Sequence, residues 1–280
     1  MTTIKDISDS CGLSVSTVSK ALNGYGDINS DTRAKVLETA KKLNYIPHGP
    51  GKTDILHKTY MIGVVCEVGY ANRFFSEVLE GARQEAAKNG YSLVLMDEDR
   101  VNCDGVLILN GHFSNHEKKP VVYSERDRSF LQKNYNGTLE LTRRYISNGI
   151  RKIAFIHGED SNVTQKRIEG YRDALTFAGI EWRKEYEIGS FYYDINAAES
   201  ATTTLVALED APEAILYPDD ICCLSGIRTL RSYGFRDPKV AGFGGTKEAS
   251  MSVHGFVSYP LDTFGLGRNA VKKLLGKISK

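Results

Sequence analysis

Residues 13–24, LSVSTVSKALNG, combine small hydroxyl side chains with a single lysine on a segment of helical length. At helical spacing, one face carries Val15, Ser16, Ser19 and Lys20. Short side chains let a helix lie close to a large polar surface, hydroxyls bond phosphates or base edges, and a lysine reaches guanine acceptors. The face therefore predicts recognition of the DNA major groove. The alternative is an ordinary three-helix scaffold with a serine-rich exposed face.

The elements that must position this face are two further helices. Thr3 and Asp6 resemble a capping box that opens a helix ending at Gly12, and Ser30 is the predicted N-cap of a third helix that closes at NYIP, 44–47. Two short helices joined by a tight turn, with a third behind them, are typical of a helix-turn-helix.

Composition excludes little beyond a membrane protein. Lys plus Arg number 36 against 35 Asp plus Glu, and residues 1–60 hold eight basic and six acidic residues, which permits an anionic partner without requiring one. The five cysteines lack CxxC spacing, so we expect buried free thiols in a reducing compartment. Without a signal region or a run of about 18 apolar residues, we expect a cytoplasmic protein that does not enter the membrane.

From Tyr60 onward, short apolar runs alternate with amphipathic segments, which predicts parallel sheets covered by helices in an α/β, doubly wound core. Strands are predicted at 61–68, 91–96, 104–109, 120–124, 152–158, 213–218 and 239–243. Helices are predicted around 73–89, 137–148, 165–178, 195–208, 220–233 and 262–276. Ligands of such folds bind beyond the carboxyl ends of the strands.

The N-terminal motifs TIKDISDSCGLSVSTVSKALNG and TRAKVLETAKKLNYIP resemble the DNA-binding head of the LacI/GalR family of bacterial transcriptional regulators. The resemblance implies a helix-turn-helix domain at 1–46, a hinge or linker at 47–60 and an effector-binding, dimer-forming core at 61–280. It implies base contacts by Val15, Ser16 and Lys20. It implies contacts to the phosphate backbone by Thr3, Ser14, Thr17, Ser19, Asn23 and Thr32.

In that family the linker forms a hinge helix that inserts a leucine into the minor groove and kinks the duplex. Here Gly49, Pro50 and Gly51 oppose a helix, Asp54 stands at the usual leucine position, and Leu56 is the candidate wedge.

The core segments RKIAFIHG, RIEGYRDALTFAGI and GFGGTKEA resemble the periplasmic-binding-protein-like core of the same family, whose two lobes hold a small molecule between them. Only 97–103 separate the second and third predicted strands, and only 110–119 precede the fourth. A crossover needs at least about 10–12 residues. The first lobe is therefore predicted to be shortened, with two covering helices missing.

The resemblance also implies effector-binding residues. They are Phe74, Phe75, Glu125, Asn134, Arg167, Phe191, Asp219 and Asp220. A bidentate guanidinium at Arg167 suits a carboxylate, a phosphate or a pair of hydroxyls. Asp220 is expected to cap the following helix while Asp219 points inward. Because Lys133 and Gly244 replace acidic residues common in the family, we expect an acidic or phosphorylated effector rather than a neutral sugar, although the shortened lobe could also bind nothing.

No catalytic cluster emerges, so we expect no enzyme, no cofactor and no metal. His112 and His116 fall in a predicted loop, and GLGRNA at 265–270 leaves no room for the acidic residue that a dinucleotide site needs. We therefore expect a homodimeric regulator that binds operator DNA, most simply a repressor of a sugar or metabolite operon controlled by a small-molecule effector. The competing class is a small-molecule binding protein whose core acts as a solute receptor.

Overall fold

The computed structural model describes residues 2–22, 25–43, 45, 58–66, 73–96, 102–111, 113, 119–247, 249 and 255–279. Two compact units divide the chain. The first comprises 1–67, 80–122 and 268–280, and the second comprises 68–79 and 123–267. Residues 47–57 of the predicted hinge, with the candidate Leu56, lie outside the described residues, as does Asn23. Among the described residues, no helix has the length and apolar character that a membrane span needs.

The N-terminal segment is entirely helical, with α1 at Ile4–Cys11, α2 at Val15–Leu22 and α3 at Ser30–Lys42. The predicted capping box is confirmed: the Thr3 hydroxyl accepts from the Asp6 N–H, and the Asp6 carboxylate accepts from the Thr3 N–H. The N-cap of α3 is Asn29 rather than Ser30, because Asn29 is extended and its side chain accepts from Thr32 N–H at 2.7 Å. A small core joins the three helices through Ile7, Cys11, Val18, Ala21, Val36 and Ala40.

The remaining elements alternate between strands and helices. Strands are β1 (Met61–Cys66), β2 (Ser92–Leu95), β3 (Gly105–Asn110), β4 (Val121–Tyr123), β5 (Ile153–His157), β6 (Glu187–Gly189), β7 (Ala214–Leu216), β8 (Lys239–Gly244) and β9 (Val257–Pro260). Helices are α4 (Arg73–Lys88), α5 (Arg128–Ser147), α6 (Asn162–Phe177), α7 (Ile195–Val206), α8 (Asp220–Ser232) and α9 (Thr263–Ile278). The expected α/β class is confirmed, since an all-α segment precedes two sheets built from parallel pairs.

The sheet of the first unit has the order β2-β1-β3-β4. Short connections precede and follow β3, as predicted, yet both of its faces are covered, since Val106 to Leu109 are at most 1% exposed. On one face Gly105 touches α9, where an added Cβ would lie 3.0 Å from Leu274 and Ile278. On the other, a Cβ at Gly63 would lie 2.0 Å from Met96 Sδ. Met96, in the connection that follows β2, therefore covers part of this face.

The second unit contains a parallel sheet of order β6-β5-β7-β8-β9. Alternate residues of β5 face opposite sides, as a pleated strand requires. Ala154 and Ile156 pack with Leu205 of α7 and Ile227 of α8. Phe155 packs on the opposite side in a cluster with residues of α5 and α6. Both faces are therefore helix-covered, and the strand ends are left to carry polar groups.

One predicted helix start was wrong, and two strands were not predicted. α5 begins at Arg128 instead of 137, because the Asp127 carboxylate accepts from the Phe130 N–H and opens the helix earlier. Sequence patterns also missed β6 and β9, which are three and four residues long and carry little apolar alternation of their own. Pairing with β5 and β8 in the sheet, and not local propensity, specifies them.

Candidate nucleic-acid interface and ligand-binding cluster

Burial of the apolar side of α2 determines which of its residues are exposed. Val18 and Ala21 are fully buried, which turns Val15, Ser16 and Lys20 outward, while Ser19 is partly buried. Val15 is 49% exposed, which leaves its methyl groups available for apolar contact with a base. The predicted face is therefore exposed to solvent, and its short side chains allow a base edge to approach the helix.

Lys20 is oriented by an acidic residue outside its helix. Its Nζ donates to Asp27 Oδ2 at 2.6 Å, and the two side chains are 48% and 55% exposed. The hydrogen bond raises the pKa of Lys20 and lowers the pKa of Asp27. The pair holds the amine of Lys20 beside a carboxylate at the exposed end of α2.

Of the residues expected at the phosphate backbone, Thr3, Ser14, Thr17 and Thr32 stand at helix starts, whereas Ser19 lies in the second turn of α2. Thr3 caps α1, Ser14 Oγ accepts from the Thr17 N–H at 3.1 Å and also bonds its hydroxyl at 2.7 Å, and Thr32 lies in the first turn of α3. Helix N-termini carry partial positive charge and favour anions such as phosphate. The structure thus brings these hydroxyls to the ends of helices, while Asn23 lies outside the described residues.

Sequence reasoning missed three residues of this segment. Asp27 and Tyr25 belong to the connection between α2 and α3, and Tyr25 is 58% exposed. Arg33 of α3 donates from Nη2 to the carbonyl oxygen of Tyr25 at 2.6 Å. Helical periodicity could not find them because two of the three lie between helices. Their only signal was a charged or aromatic side chain a few residues beyond the predicted recognition helix.

In the second unit, close helix packing sets the position of Arg167. An added Cβ at Gly170 would lie 2.3 Å from the main-chain oxygen of Tyr135, so only glycine lets α6 approach α5 this closely. One turn earlier, Arg167 Nε donates to Asn134 Oδ1 at 2.8 Å. Asn134 is fully buried and Arg167 is 4% exposed. Two of the predicted effector-binding residues therefore form one buried polar contact.

The hydrogen-bond partners of the Arg167 guanidinium are neutral, although the buried Asp219 carboxylate attracts it electrostatically. Nη1 donates to the carbonyl oxygen of Pro218, and the guanidinium lies 4.0 Å from the ring centre of Phe243 and 5.4 Å from that of Tyr192. Within the described part of the chain, Nη2 has no hydrogen-bond partner. Burying a cation whose hydrogen-bond partners are uncharged is costly, and the aromatic faces and the attraction of Asp219 offset part of that cost. The arrangement leaves donors for an additional acceptor.

Asp219 and Asp220 exchange their predicted roles. Asp219 is the N-cap of α8, with Oδ1 accepting from the Cys222 N–H at 2.8 Å and Oδ2 from the Tyr193 N–H at 2.7 Å. The expectation that Asp220 caps the helix was wrong, because Asp219 is the extended residue that precedes it. Asp220 instead accepts from the Ser258 hydroxyl at 2.6 Å and from the Thr246 N–H at 2.9 Å.

Both carboxylates are almost completely buried, at 2% and 1% exposure for Asp219 and Asp220. Burial raises the pKa of each above its usual value, although their hydrogen bonds oppose the shift. Gly242 and Gly244 make room for the Asp220 carboxylate, since added Cβ atoms would lie 2.7 and 3.1 Å from its oxygens. The protein's own donors occupy both carboxylates, so their role here is to organise the strand ends.

The other predicted effector-binding residues differ in how far they are buried. Phe74 and Phe75 meet edge to face with ring centres 5.0 Å apart, Phe75 is buried, and Glu125 is half-buried in a short 3-10 helix. Phe191 is 58% exposed. Lys133 is exposed on α5 beside buried Asn134, and its charge lies outside the Arg167 cluster.

Sequence reasoning overlooked Tyr192 and Tyr193, which follow Phe191. The Tyr192 hydroxyl bonds the Thr164 hydroxyl at 2.9 Å, and burial raises the pKa of both tyrosines. Tyr193 has a positive φ of 61°, which costs free energy in a residue with a Cβ and aims its N–H at Asp219. The pattern of three consecutive aromatic residues was the available signal.

Metal binding finds no support in the described residues, which contain no group of three or more His, Cys, Asp or Glu able to hold an ion. All five cysteines are buried free thiols, as expected.

Comparison with known proteins gives two matches to family models. Residues 3–48 match bacterial regulatory proteins of the lacI family, and residues 142–280 match a periplasmic binding protein-like domain. The HTH-type transcriptional repressor PurR of Mannheimia succiniciproducens is 25% identical over 312 residues, covering 100% of this chain and 92% of that protein. The probable HTH-type transcriptional repressor ExuR of Bacillus subtilis is 29% identical, covering 87% of this chain and 81% of that protein.

Solved structures resemble the whole fold. A complex of the transcriptional regulator CelR with cellobiose superposes with a TM-score of 0.71 at 23% identity, covering 100% of this chain and 94% of that one. The lac repressor bound to ONPG in its repressed state gives a TM-score of 0.72 at 21% identity, covering 99% and 93%. These likenesses support the fold, while the family models and sequence relatives support the class of protein.

Proposed function

Because this chain belongs to the LacI family of bacterial regulatory proteins, we propose that it represses a sugar or metabolite operon under the control of a small-molecule effector. The chain is a DNA-binding transcriptional regulator. The observation that carries the proposal is the face of α2, where Val15, Ser16 and Lys20 point to solvent from a helix fixed by buried Val18 and Ala21. In this proposal the protein acts in the cytoplasm.

Two copies of the chain read the operator in this proposal. A single short recognition helix with little net charge has weak affinity for DNA, so two heads joined by dimerisation bind two half-sites more tightly. Two-fold symmetry of the dimer then requires a pseudo-palindromic operator. Sedimentation with a bound duplex tests this, since two chains per duplex are expected and one chain per duplex would contradict it.

The effector is an anionic metabolite in this proposal, and Arg167 is the residue that supports it. Arg167 is 4% exposed, and among the described residues its guanidinium donates only to the uncharged Asn134 and Pro218 oxygens, with Asp219 attracting it electrostatically but not hydrogen-bonding it. The carboxylates of Asp219 and Asp220 already accept hydrogen bonds from the protein. A carboxylate or phosphate would pair with the guanidinium, whereas a neutral sugar would rely on carboxylates that are almost completely buried and already hydrogen-bonded within the protein.

Thermal unfolding with panels of metabolites tests the effector. A ligand at 100 times its dissociation constant stabilises the folded state by about 2.7 kcal/mol. Sugar acids and sugar phosphates should raise the unfolding temperature more than neutral sugars, and Arg167→Lys should reduce the response because a lysine cannot bind an oxyanion in bidentate fashion. A larger response to neutral sugars would contradict the anionic effector. No response from any metabolite class would indicate constitutive repression or control by a protein partner.

A further inference from the structure

The ion pair between Lys20 and Asp27 lies on the surface that faces DNA in the proposed function. Nζ and Oδ2 are 2.6 Å apart and about half of each side chain is exposed. Exposed ion pairs contribute little to stability, so this one is poorly explained as support for the fold. A carboxylate on a surface that approaches phosphates also opposes binding. Its presence beside the predicted base-reading lysine calls for a role in recognition.

The connection that carries Asp27 is held at both ends. The Tyr25 N–H donates to the Lys20 carbonyl at 3.1 Å, and the Ile28 N–H donates to the Tyr25 carbonyl at 3.4 Å. Arg33 of α3 donates to the same carbonyl at 2.6 Å. These bonds fix the main chain on either side of Asp27. The carboxylate therefore stands at a defined position next to the end of α2.

The donors of Lys20 and the acceptor of Asp27 are complementary to the groups that a G·C base pair presents in the major groove. In the major groove, guanine presents two acceptors, N7 and O6, and its cytosine partner presents one donor, N4–H₂. Lysine has three N–H donors, of which one bonds Asp27 and two remain for N7 and O6. The second carboxylate oxygen can accept from cytosine N4. On an A·T pair, one lysine N–H would face the N6 amino donor of adenine, and the Asp27 oxygen would face the O4 acceptor of thymine.

We propose that Asp27 is a specificity-determining residue that, together with Lys20, reads one G·C base pair, with Lys20 donating to guanine and Asp27 accepting from cytosine. The inference rests on the proposed DNA-binding function. It has an electrostatic consequence, because the paired residues carry no net charge and release no counterion on binding. Removing the carboxylate frees the charge of Lys20 for phosphate, which should make the salt dependence of binding to unselected DNA steeper by about 0.9 in the log–log slope.

The test begins with duplexes that the full chain enriches from a random-sequence library. Each G·C pair in an enriched duplex is then replaced by A·T, and dissociation constants are measured for the wild type, Asp27→Ala and Lys20→Ala. At one pair per half-site, the replacement should weaken the wild type by about tenfold or more, and both variants should lose most of that discrimination at the same pair. Asp9→Ala, which removes an exposed carboxylate from α1, is the control and should discriminate as the wild type does.

Asp27→Asn provides a second variant, and circular dichroism shows whether each head is folded. The inference is overturned if folded Asp27→Ala keeps full discrimination at every G·C pair, or if it loses affinity equally for all duplexes. An unchanged salt slope on unselected DNA would also overturn it. Failure of the wild type to enrich any sequence is a separate result, and it would contradict the proposed function itself.

Discussion

Arg167 Nε donates to Asn134 Oδ1 at 2.8 Å, and this buried bond joins α6 to α5 in the second unit. Asn134 also donates from its amide to the Phe130 carbonyl at 2.9 Å, which fixes the orientation of its oxygen toward the guanidinium. The two residues are fully buried and 4% exposed respectively. The guanidinium is therefore aimed by a neighbouring helix before any ligand arrives.

Replacement of Asn134 by alanine should lower the free energy of unfolding by about 1–3 kcal/mol, because it leaves a buried charged donor without its acceptor. Urea unfolding of the full chain measures this change. Asn136→Ala is the matched control, since Asn136 is exposed on the same helix and its side-chain bond to Gln132 is also exposed. Equal effects of the two substitutions would show that the Asn134 contact contributes nothing to stability.

Alanine substitutions at Gly170 and Gly276 should change stability in opposite directions. A Cβ at Gly170 would meet the Tyr135 carbonyl oxygen at 2.3 Å, so alanine there must separate α5 from α6. Gly276 lies in α9 with nothing within 4 Å of an added Cβ. We expect Gly170→Ala to destabilise by about 1–3 kcal/mol, as overpacking does. Gly276→Ala should stabilise by about 0.5–1 kcal/mol through helix propensity.

Both glycine variants are compared by the midpoint of urea unfolding. Stabilisation by Gly170→Ala would mean that the two helices can separate without cost. That result would remove the argument that glycine sets the position of Arg167.

Asp220 should make stability depend on pH in a defined direction. Burial raises its pKa above the usual 3.8, so the folded state holds this proton at pH values where the unfolded state has released it. Its contribution to stability is complete below the unfolded pKa and is lost as the pH rises through the folded pKa. In the Asp220→Asn variant, the side-chain amide would keep partners for both Ser258 and Thr246 without titrating.

The stability of the wild type relative to Asp220→Asn should therefore fall as the pH rises from about 3.8 and then level off. Urea unfolding of both proteins over a pH series measures the difference. A relative stability that rises with pH would show that the hydrogen bonds to the carboxylate outweigh its burial.

Lys20→Ala should weaken binding to the preferred duplex by about 1–3 kcal/mol and relax base preference at one position. Lys5→Ala is a suitable control, because Lys5 is an exposed lysine on α1 outside the predicted recognition face. Fluorescence anisotropy on preferred and unselected duplexes measures both. If Lys20→Ala weakens the two duplexes equally, Lys20 contacts phosphate rather than a base.

Local patterns predicted the parts of the molecule that local forces determine. The capping box at Thr3 and the buried side of α2 follow from spacing alone, and the alternating strands and helices follow from apolar runs. The roles of Asp219 and Asp220 were reversed because both residues are of a type that caps helices well, and only the backbone shows which of them is extended.

Local sequence patterns could not predict contacts between segments that are distant in the sequence. Asp27 meets Lys20 through a connection that has no periodicity, and the Tyr193 N–H meets Asp219 across 26 positions of sequence. The short strand β6 forms only because β5 supplies its hydrogen bonds. These features depend on the assembled fold, and each of them lies at one of the two candidate sites.

The central claim is that the exposed face of α2 reads a specific DNA sequence. The most direct measurement is the ratio of dissociation constants for an unselected duplex and for the duplex that the full chain enriches, taken at one salt concentration. Specific regulators bind their sites about 10³–10⁷ times more tightly than other DNA, and we expect a ratio in that range with a two-fold symmetric enriched sequence. A ratio near one, or enrichment of no sequence, would contradict the account.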